Sequence, residues 1–155
     1  MSITKCEAYR KYEIWQNGEC KVIATAVWFT VNTEKMRIAR VTEELFTAFE
    51  STSEEDNNLP CEKLRPKKNP VLLGKTVVGK RDLDTNNHMN NVKSVETVLN
   101  YIPDDFKISE LQVKYRKEIK GGEKIKILGN IENGEFYAEI RNENDDLCIL
   151  MYAEK

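Results

Sequence analysis

Histidine is the scarcest functional residue of this 155-residue sequence, occurring once, at His88. A zinc site built from paired histidines is thereby excluded. Cysteine offers no substitute, because the four present, Cys6, Cys20, Cys61 and Cys148, are scattered without a Cys-x-x-Cys pair. No metal is expected. Long apolar runs are also lacking: the longest, Val22 to Phe29, falls far short of the ~20 residues that span a bilayer, and no apolar stretch follows the basic N-terminal residues Lys5, Arg10 and Lys11. A membrane partner is not expected, and the chain reads as cytoplasmic with reduced thiols. A formal net charge of only −2 leaves no global field to draw in nucleic acid, so any electrostatic partner site must be a local patch.

What is present is ordinary for a soluble globular chain: 40% hydrophobic and 32% charged residues, enough for one buried core and part of another. From Tyr9 to Val41, β-branched, aromatic and aliphatic residues predict strands broken at Asn17-Gly18, the strongest short hairpin signal. Thr42 before Glu43 and Glu44 predicts a short capped helix burying Leu45, Phe46 and Phe49. Acidic and amide residues from Glu54 to Asn58, with Pro60, Pro66 and Pro70, predict a connection over 51–70. Residues 71–81 then read as a strand, and Met89, Val92, Val95, Val98, Leu99 and Ile102 recur at helical spacing up to Pro103.

Alternation in Leu111, Val113 and Tyr115, then in Ile125 and Ile127, in Phe136, Ala138 and Ile140, and in Leu147, Ile149 and Met151, predicts an antiparallel meander with a second Asn-Gly turn at Asn133-Gly134. The expected class is α+β, a strand and one long helix followed by the meander, although periodicity supports other α+β arrangements equally. A short echo between Glu13-Ile14…Cys20 and Glu139-Ile140…Cys148 suggests two related copies.

Between strand and helix lies Asp84-Thr85-Asn86-Asn87-His88-Met89-Asn90-Asn91. In extended backbone Asp84, Asn86 and His88 project to one side, bringing a carboxylate, an amide and an imidazole together. The helix beginning near Met89 adds N–H groups, at Met89, Asn90 and Asn91, that could hold an oxyanion. A run of Asp and Asn before a helix also serves simply as a cap, and both readings stand at this level.

The same stretch resembles the Asp-x-Asn-x-His-Val-Asn-Asn signature of the second domain of acyl-ACP thioesterases, and Tyr115-Arg116-Lys117-Glu118 resembles their following strand. Upstream, Ala24-Thr25-Ala26-Val27-Trp28 and Lys35-Met36-Arg37 resemble the end of their first domain. The resemblance implies a hot-dog fold, an antiparallel sheet wrapped around a helix. It places a remnant of a first hot-dog domain at 1–50, a linker at 51–70 and a complete domain at 71–155. It implies hydrolysis of fatty acyl thioesters on acyl carrier protein, with catalytic positions at Asp84, Asn86, His88 and Glu118 and no cofactor. Glu118 with Asn86 would activate water, while Asp84 and His88 orient the site and stabilise charge.

Three departures qualify it. Ile119 stands where plant members carry a cysteine, which removes a covalent cysteine route. Ser94 and Thr97 replace a tyrosine and a tryptophan. By the same resemblance the chain is expected to start midway through the first domain, so a non-catalytic carrier-binding or remnant domain is the competing class, and a hot-dog acyl-CoA thioesterase the third. Lys114, Arg116, Lys117 and Lys120 form a basic cluster suited to an acidic carrier or a phosphopantetheine phosphate, or simply a solvated strand face. The shortened first sheet is expected to pair with a second copy as a homodimer. One difficulty is internal: Glu118 shares parity with Gln112, Lys114 and Arg116 and should face away from Leu111, Val113 and Tyr115, unless a β-bulge near Arg116 or Lys117 turns it back.

Overall fold

Two Asn-Gly pairs reverse the chain with positive φ at both residues: 53° and 78° at Asn17-Gly18, 52° and 81° at Asn133-Gly134. That is the type I′ combination, whose twist matches that of antiparallel strands. The computed structural model describes residues 7–35, 37–40, 42–48 and 64–155. The chain divides into two units, Met1–Glu62 and Lys63–Lys155.

In the first unit, β1 (Glu7–Gln16) and β2 (Glu19–Asn32) form the hairpin predicted around Asn17-Gly18, and β3 (Arg37–Ala39) extends the sheet in the order β1-β2-β3. Register places Tyr12 opposite Ala24, Ile14 opposite Val22 and Ala8 opposite Trp28, so these residues share a face. None of the unit's described residues is buried. Ile23 is 62% exposed, Ile14 60% and Trp28 56%. A six-residue helix, α1 (Glu43–Ala48), follows with Glu43 and Glu44 in its first turn. The burial expected of Leu45, Phe46 and Phe49 lies outside the described residues, as do Cys6, Cys61, Met36 and the connection as far as residue 63.

The second unit contains β4 (Val71–Val77), α2 (Asn91–Leu99), β5 (Glu110–Tyr115), β6 (Lys124–Glu132), β7 (Glu135–Arg141) and β8 (Leu147–Glu154). All pairings are antiparallel, in the order β4-β6-β7-β8-β5. On one face of this sheet Ile125, Ile127, Phe136, Ala138, Ile140, Ile149, Met151 and Ala153 are buried. Val98 of α2 joins that cluster, with Val95 and Leu99 packed against it. The cluster supplies most of the stabilisation, at about 1.5–3 kcal/mol per large side chain. Gly129 is required here, because a Cβ would sit 2.4 Å from the Tyr137 carbonyl oxygen.

Two element boundaries differ from expectation. The strand predicted over 71–81 stops at Val77, because residues 80–82 form a 3-10 turn in which Asp82 Oδ2 accepts the Gly79 N–H at 2.8 Å. The helix occupies only Asn91–Leu99, since Asn90 caps it by accepting the Val92 N–H at 2.8 Å. Met89 and Ile102 fit its apolar spacing and reach the core from outside it, while Val92, in its first turn, is 63% exposed.

Candidate active site

The loop before α2 is a closed turn, which corrects the extended geometry expected of it. Leu83 and Met89 form a bridge across its base, the Asp84 N–H donates to the His88 carbonyl at 2.8 Å, and Asn87 takes φ 63°. Asp84 Oδ1 accepts the N–H of Asn86 at 2.8 Å and of His88 at 3.0 Å. The Asp84 carboxylate therefore holds the turn shut, which is how Asn86 and His88 come to line one pocket.

The turn is clipped to the segment after β5. His88 bridges to Lys120, and the Met89 N–H donates to the Ile119 carbonyl at 2.7 Å. Glu118 lies opposite His88, with Nε2 and Oε2 3.3 Å apart. The parity conflict resolves through a bulge: the N–H groups of Arg116 and Lys117 both donate to the Cys148 carbonyl, at 2.8 and 3.2 Å. Two residues thus oppose one, and every later side chain changes face.

A pocket of about 320 Å³ is lined by all four residues expected to be catalytic, Asp84, Asn86, His88 and Glu118, over a floor that includes Met89, Ile119 and Ile149. His88 is mostly shielded, its side chain 27% exposed, whereas Glu118 stands at the rim at 73%. Solvent can reach the carboxylate from outside while the imidazole is held from within.

The oxyanion donors need correction. The Met89 N–H is spent on Ile119, the Asn90 N–H donates to the Asp82 carbonyl at 2.8 Å, and Asn90 does not line the pocket. Both backbone groups fix the loop and cannot also bind substrate. Asn91 lines the pocket as the first residue of α2, and its N–H makes no bond to a described group, so it alone of the three is available.

The basic cluster is divided. Arg116 and Lys117 line the pocket, whereas Lys114 and Lys120 do not. Lys114 pairs opposite Leu150 on the sheet face away from the core, and the Lys120 N–H donates to Glu123 Oε1 at 3.2 Å. The Asp146 carboxylate, 2.5 Å from the Lys117 ammonium, holds that ammonium above its ordinary value, and Lys117 with Asn142 holds the Asp146 carboxyl below the usual range. Neither described cysteine lines the pocket. Cys148 is buried, and burial pushes its thiol up.

Sequence reasoning named Tyr115 and Ser94 without placing either contact that they make. The Tyr115 hydroxyl reaches the Asn91 carbonyl at 3.3 Å and ties the end of β5 to the helix, while burial raises its ionisation range. Ser94, buried in α2, donates its hydroxyl to the same carbonyl at 2.7 Å. The alternation of β5 pointed to Tyr115, but nothing local pointed to Asp146. Among the described residues no cluster of three acidic, histidine or cysteine side chains could hold a metal, and no helix is long and apolar enough to cross a membrane.

A helix packed against an antiparallel sheet defines a hot-dog domain, here with a carboxylate, an amide and an imidazole beside the helix start. The chain belongs to the acyl-ACP thioesterase family: the family's C-terminal domain matches residues 73–150 and its N-terminal domain residues 1–49. An acyl-ACP thioesterase from Bacteroides thetaiotaomicron shares the fold with a TM-score of 0.79 at 16% identity, over 99% of this chain and 64% of that one. A structure named as an oleoyl thioesterase from Lactobacillus plantarum gives a TM-score of 0.76 at 20% identity, over 97% and 63%. The chain thus spans less than two thirds of the length of these two relatives. Comparison with curated proteins finds no match.

Proposed function

We propose that this chain hydrolyses fatty acyl thioesters carried on acyl carrier protein, using water as nucleophile. The observation that carries the reading is His88 Nε2 placed 3.3 Å from Glu118 Oε2 in a pocket that Asn86 also lines. Glu118, at the solvent rim, takes a proton from a water oriented by Asn86 as its oxygen adds to the acyl carbon. The Asn91 N–H at the positive end of α2 faces the developing oxyanion, and His88 stabilises charge from the shielded side. The C–S bond then breaks as the intermediate collapses, and the proton held on Glu118 passes to the departing sulfur, releasing fatty acid and the phosphopantetheine thiol and restoring the carboxylate. Asp84 contributes through the turn it closes.

Arg116, which lines the pocket, would meet an acidic carrier or its phosphate, while Lys114 and Lys120 lie outside that lining and would add charge around it. Residues 1–50 are read as the end of a first hot-dog domain, 51–70 as a linker and 71–155 as a complete one, a division supported by the two family matches. The cytoplasm suits unpaired thiols at Cys20 and Cys148.

The deciding measurement is hydrolysis by the purified chain of matched acyl-ACP and acyl-CoA thioesters. Faster turnover of the carrier-protein substrate, abolished in Glu118→Gln, supports the proposal. Preference for CoA would move the protein to the acyl-CoA class, and carrier binding without turnover to the non-catalytic one.

We also propose a homodimer, because Trp28, Phe29 and Ile23 in the first unit are each at least half exposed. Light scattering at micromolar concentration should give twice the chain mass, with Trp28 fluorescence protected from quencher. A monomeric mass with the β1–β3 sheet folded would end that proposal.

A further inference from the structure

Glu118 reaches His88 only because the chain bulges at Arg116 and Lys117. Such an irregularity persists only where surrounding groups hold it. On one side it is held by the Cys148 carbonyl, which accepts both N–H groups. On the other side, Lys117 within the bulge extends its ammonium to Asp146 Oδ2 at 2.5 Å. Asp146 is itself fixed by Asn142, only 4% exposed, whose Oδ1 accepts the N–H groups of Asn144 and Asp146 at 3.1 and 2.9 Å. The Asn142 side-chain amide also donates to Asp146 Oδ2 at 3.2 Å, and its backbone N–H donates to the Asp146 carbonyl at 3.1 Å. The loop between β7 and β8 is thus built around a buried asparagine that presents one carboxylate to the bulge.

We infer that Asp146 is a positioning residue, which through Lys117 clasps the bulge and so sets the separation between Glu118 and His88. This inference rests on the reading that Glu118 activates water, and it identifies a regulator of geometry that touches no substrate. Lys117 and Asp146 are 52% and 43% exposed, and exposed ion pairs add little to global stability. Loss of the Lys117 ammonium should therefore register at the site and leave the melting temperature almost unchanged, whereas loss of the Asp146 carboxylate also removes the acceptor of the buried Asn142 amide and lowers the melting temperature modestly. A competing account makes Lys117 a docking group for acidic carrier that Asp146 merely neutralises. It predicts the opposite sign, because freeing the ammonium would then tighten carrier binding.

The test uses the full chain and two readouts. In Asp146→Ala and in Lys117→Met, kcat for acyl-ACP should fall about tenfold or more, the scale of losing a positioned geometry, and Asp146→Glu should recover most of it. The fall should also appear on a small acyl thioester that makes no carrier contact. Because His88 is the only histidine, its ring proton resonance gives a reading independent of activity. It should move in Asp146→Ala in the same direction as in Glu118→Gln. A lowered KM with unchanged kcat in Asp146→Ala, or a resonance that moves in Glu118→Gln alone, would overturn the clasp. If the wild-type chain hydrolyses nothing, the proposed function fails, while the resonance still decides whether Asp146 holds Glu118 to His88.

Discussion

The two units of this chain use the same hairpin device to opposite effect. Asn17-Gly18 and Asn133-Gly134 adopt nearly identical turns, yet the strands joined by the first bury no described residue, while those joined by the second contain side chains with almost no exposure. The difference lies in what covers the sheet. In the second unit α2 lies against the face that carries Ile127, Phe136 and Ile140. In the first, Ile14, Val22 and Trp28 are equally apolar and remain open. Strand sequence and turn chemistry suffice to make a sheet, and burial requires a second layer.

The largest expected effect exploits this contrast directly. Phe136→Ala, at 1% exposure, should cost about 3–5 kcal/mol in urea unfolding, whereas Trp28→Ala at 56% should cost less than about 1 kcal/mol in the isolated chain. An equal cost at both positions would show that the first sheet has acquired a cover. Next in size, His88→Ala and Asp84→Ala should each lower any hydrolytic rate by at least about a hundredfold, the first by removing a charge-stabilising group and the second by opening the turn. Near-normal rates in both folded variants would detach the chemistry from the second unit.

Glycine sharpens the comparison at a smaller scale. Gly129→Ala should cost about 1–3 kcal/mol, because the new methyl meets a backbone oxygen at 2.4 Å. Gly18→Ala meets nothing within 4 Å and should cost only the roughly 1 kcal/mol of a left-handed φ. Thermal melts of the two variants separate steric from conformational cost. Smallest is the thiol contrast: a small alkylating reagent should modify part-exposed Cys20 well before buried Cys148 and change the rate less than about twofold. Peptide mapping that finds stoichiometric inactivation at one cysteine would replace water with a thiol as nucleophile.

Both hairpins were legible in the sequence because Asn-Gly is among the few pairs that tolerate positive φ twice. The meander was legible because its alternation matches the face packed with α2, although β7 and β8 also bury Tyr137, Glu139 and Leu150 on the other face. The start of α2 was not, since Met89 satisfies helical spacing while its N–H belongs to Ile119, a partner set by tertiary contact. Asp84, Asn86 and His88 emerged from a local motif and Glu118 from the family resemblance alone, and the extended geometry expected of the first three did not survive. They converge through a turn closed on Asp84 and not through strand alternation. For Glu118 alternation correctly signalled a conflict, although only the shared Cys148 carbonyl reveals where the extra residue sits. The approach of Lys117 to Asp146 joins residues 29 apart in sequence, beyond the reach of any local pattern.

The bulge that turns Glu118 has a further consequence for solubility. Strand β5 forms one edge of the second sheet, a row of backbone groups that could template the addition of a stray strand and seed aggregation. Regular pairing ends at Tyr115, and the next two N–H groups converge on one carbonyl, so an incoming strand finds no continuing ladder there. Lys114, Arg116 and Lys117 add charge along the same edge. The opposite edge, β4, keeps Val71, Leu72 and Val77 more than half exposed. β4 has an irregularity of its own between Leu72 and Gly74, followed by a regular run from Gly74 to Val77, so if this domain forms fibrils under stress that run is where they should begin.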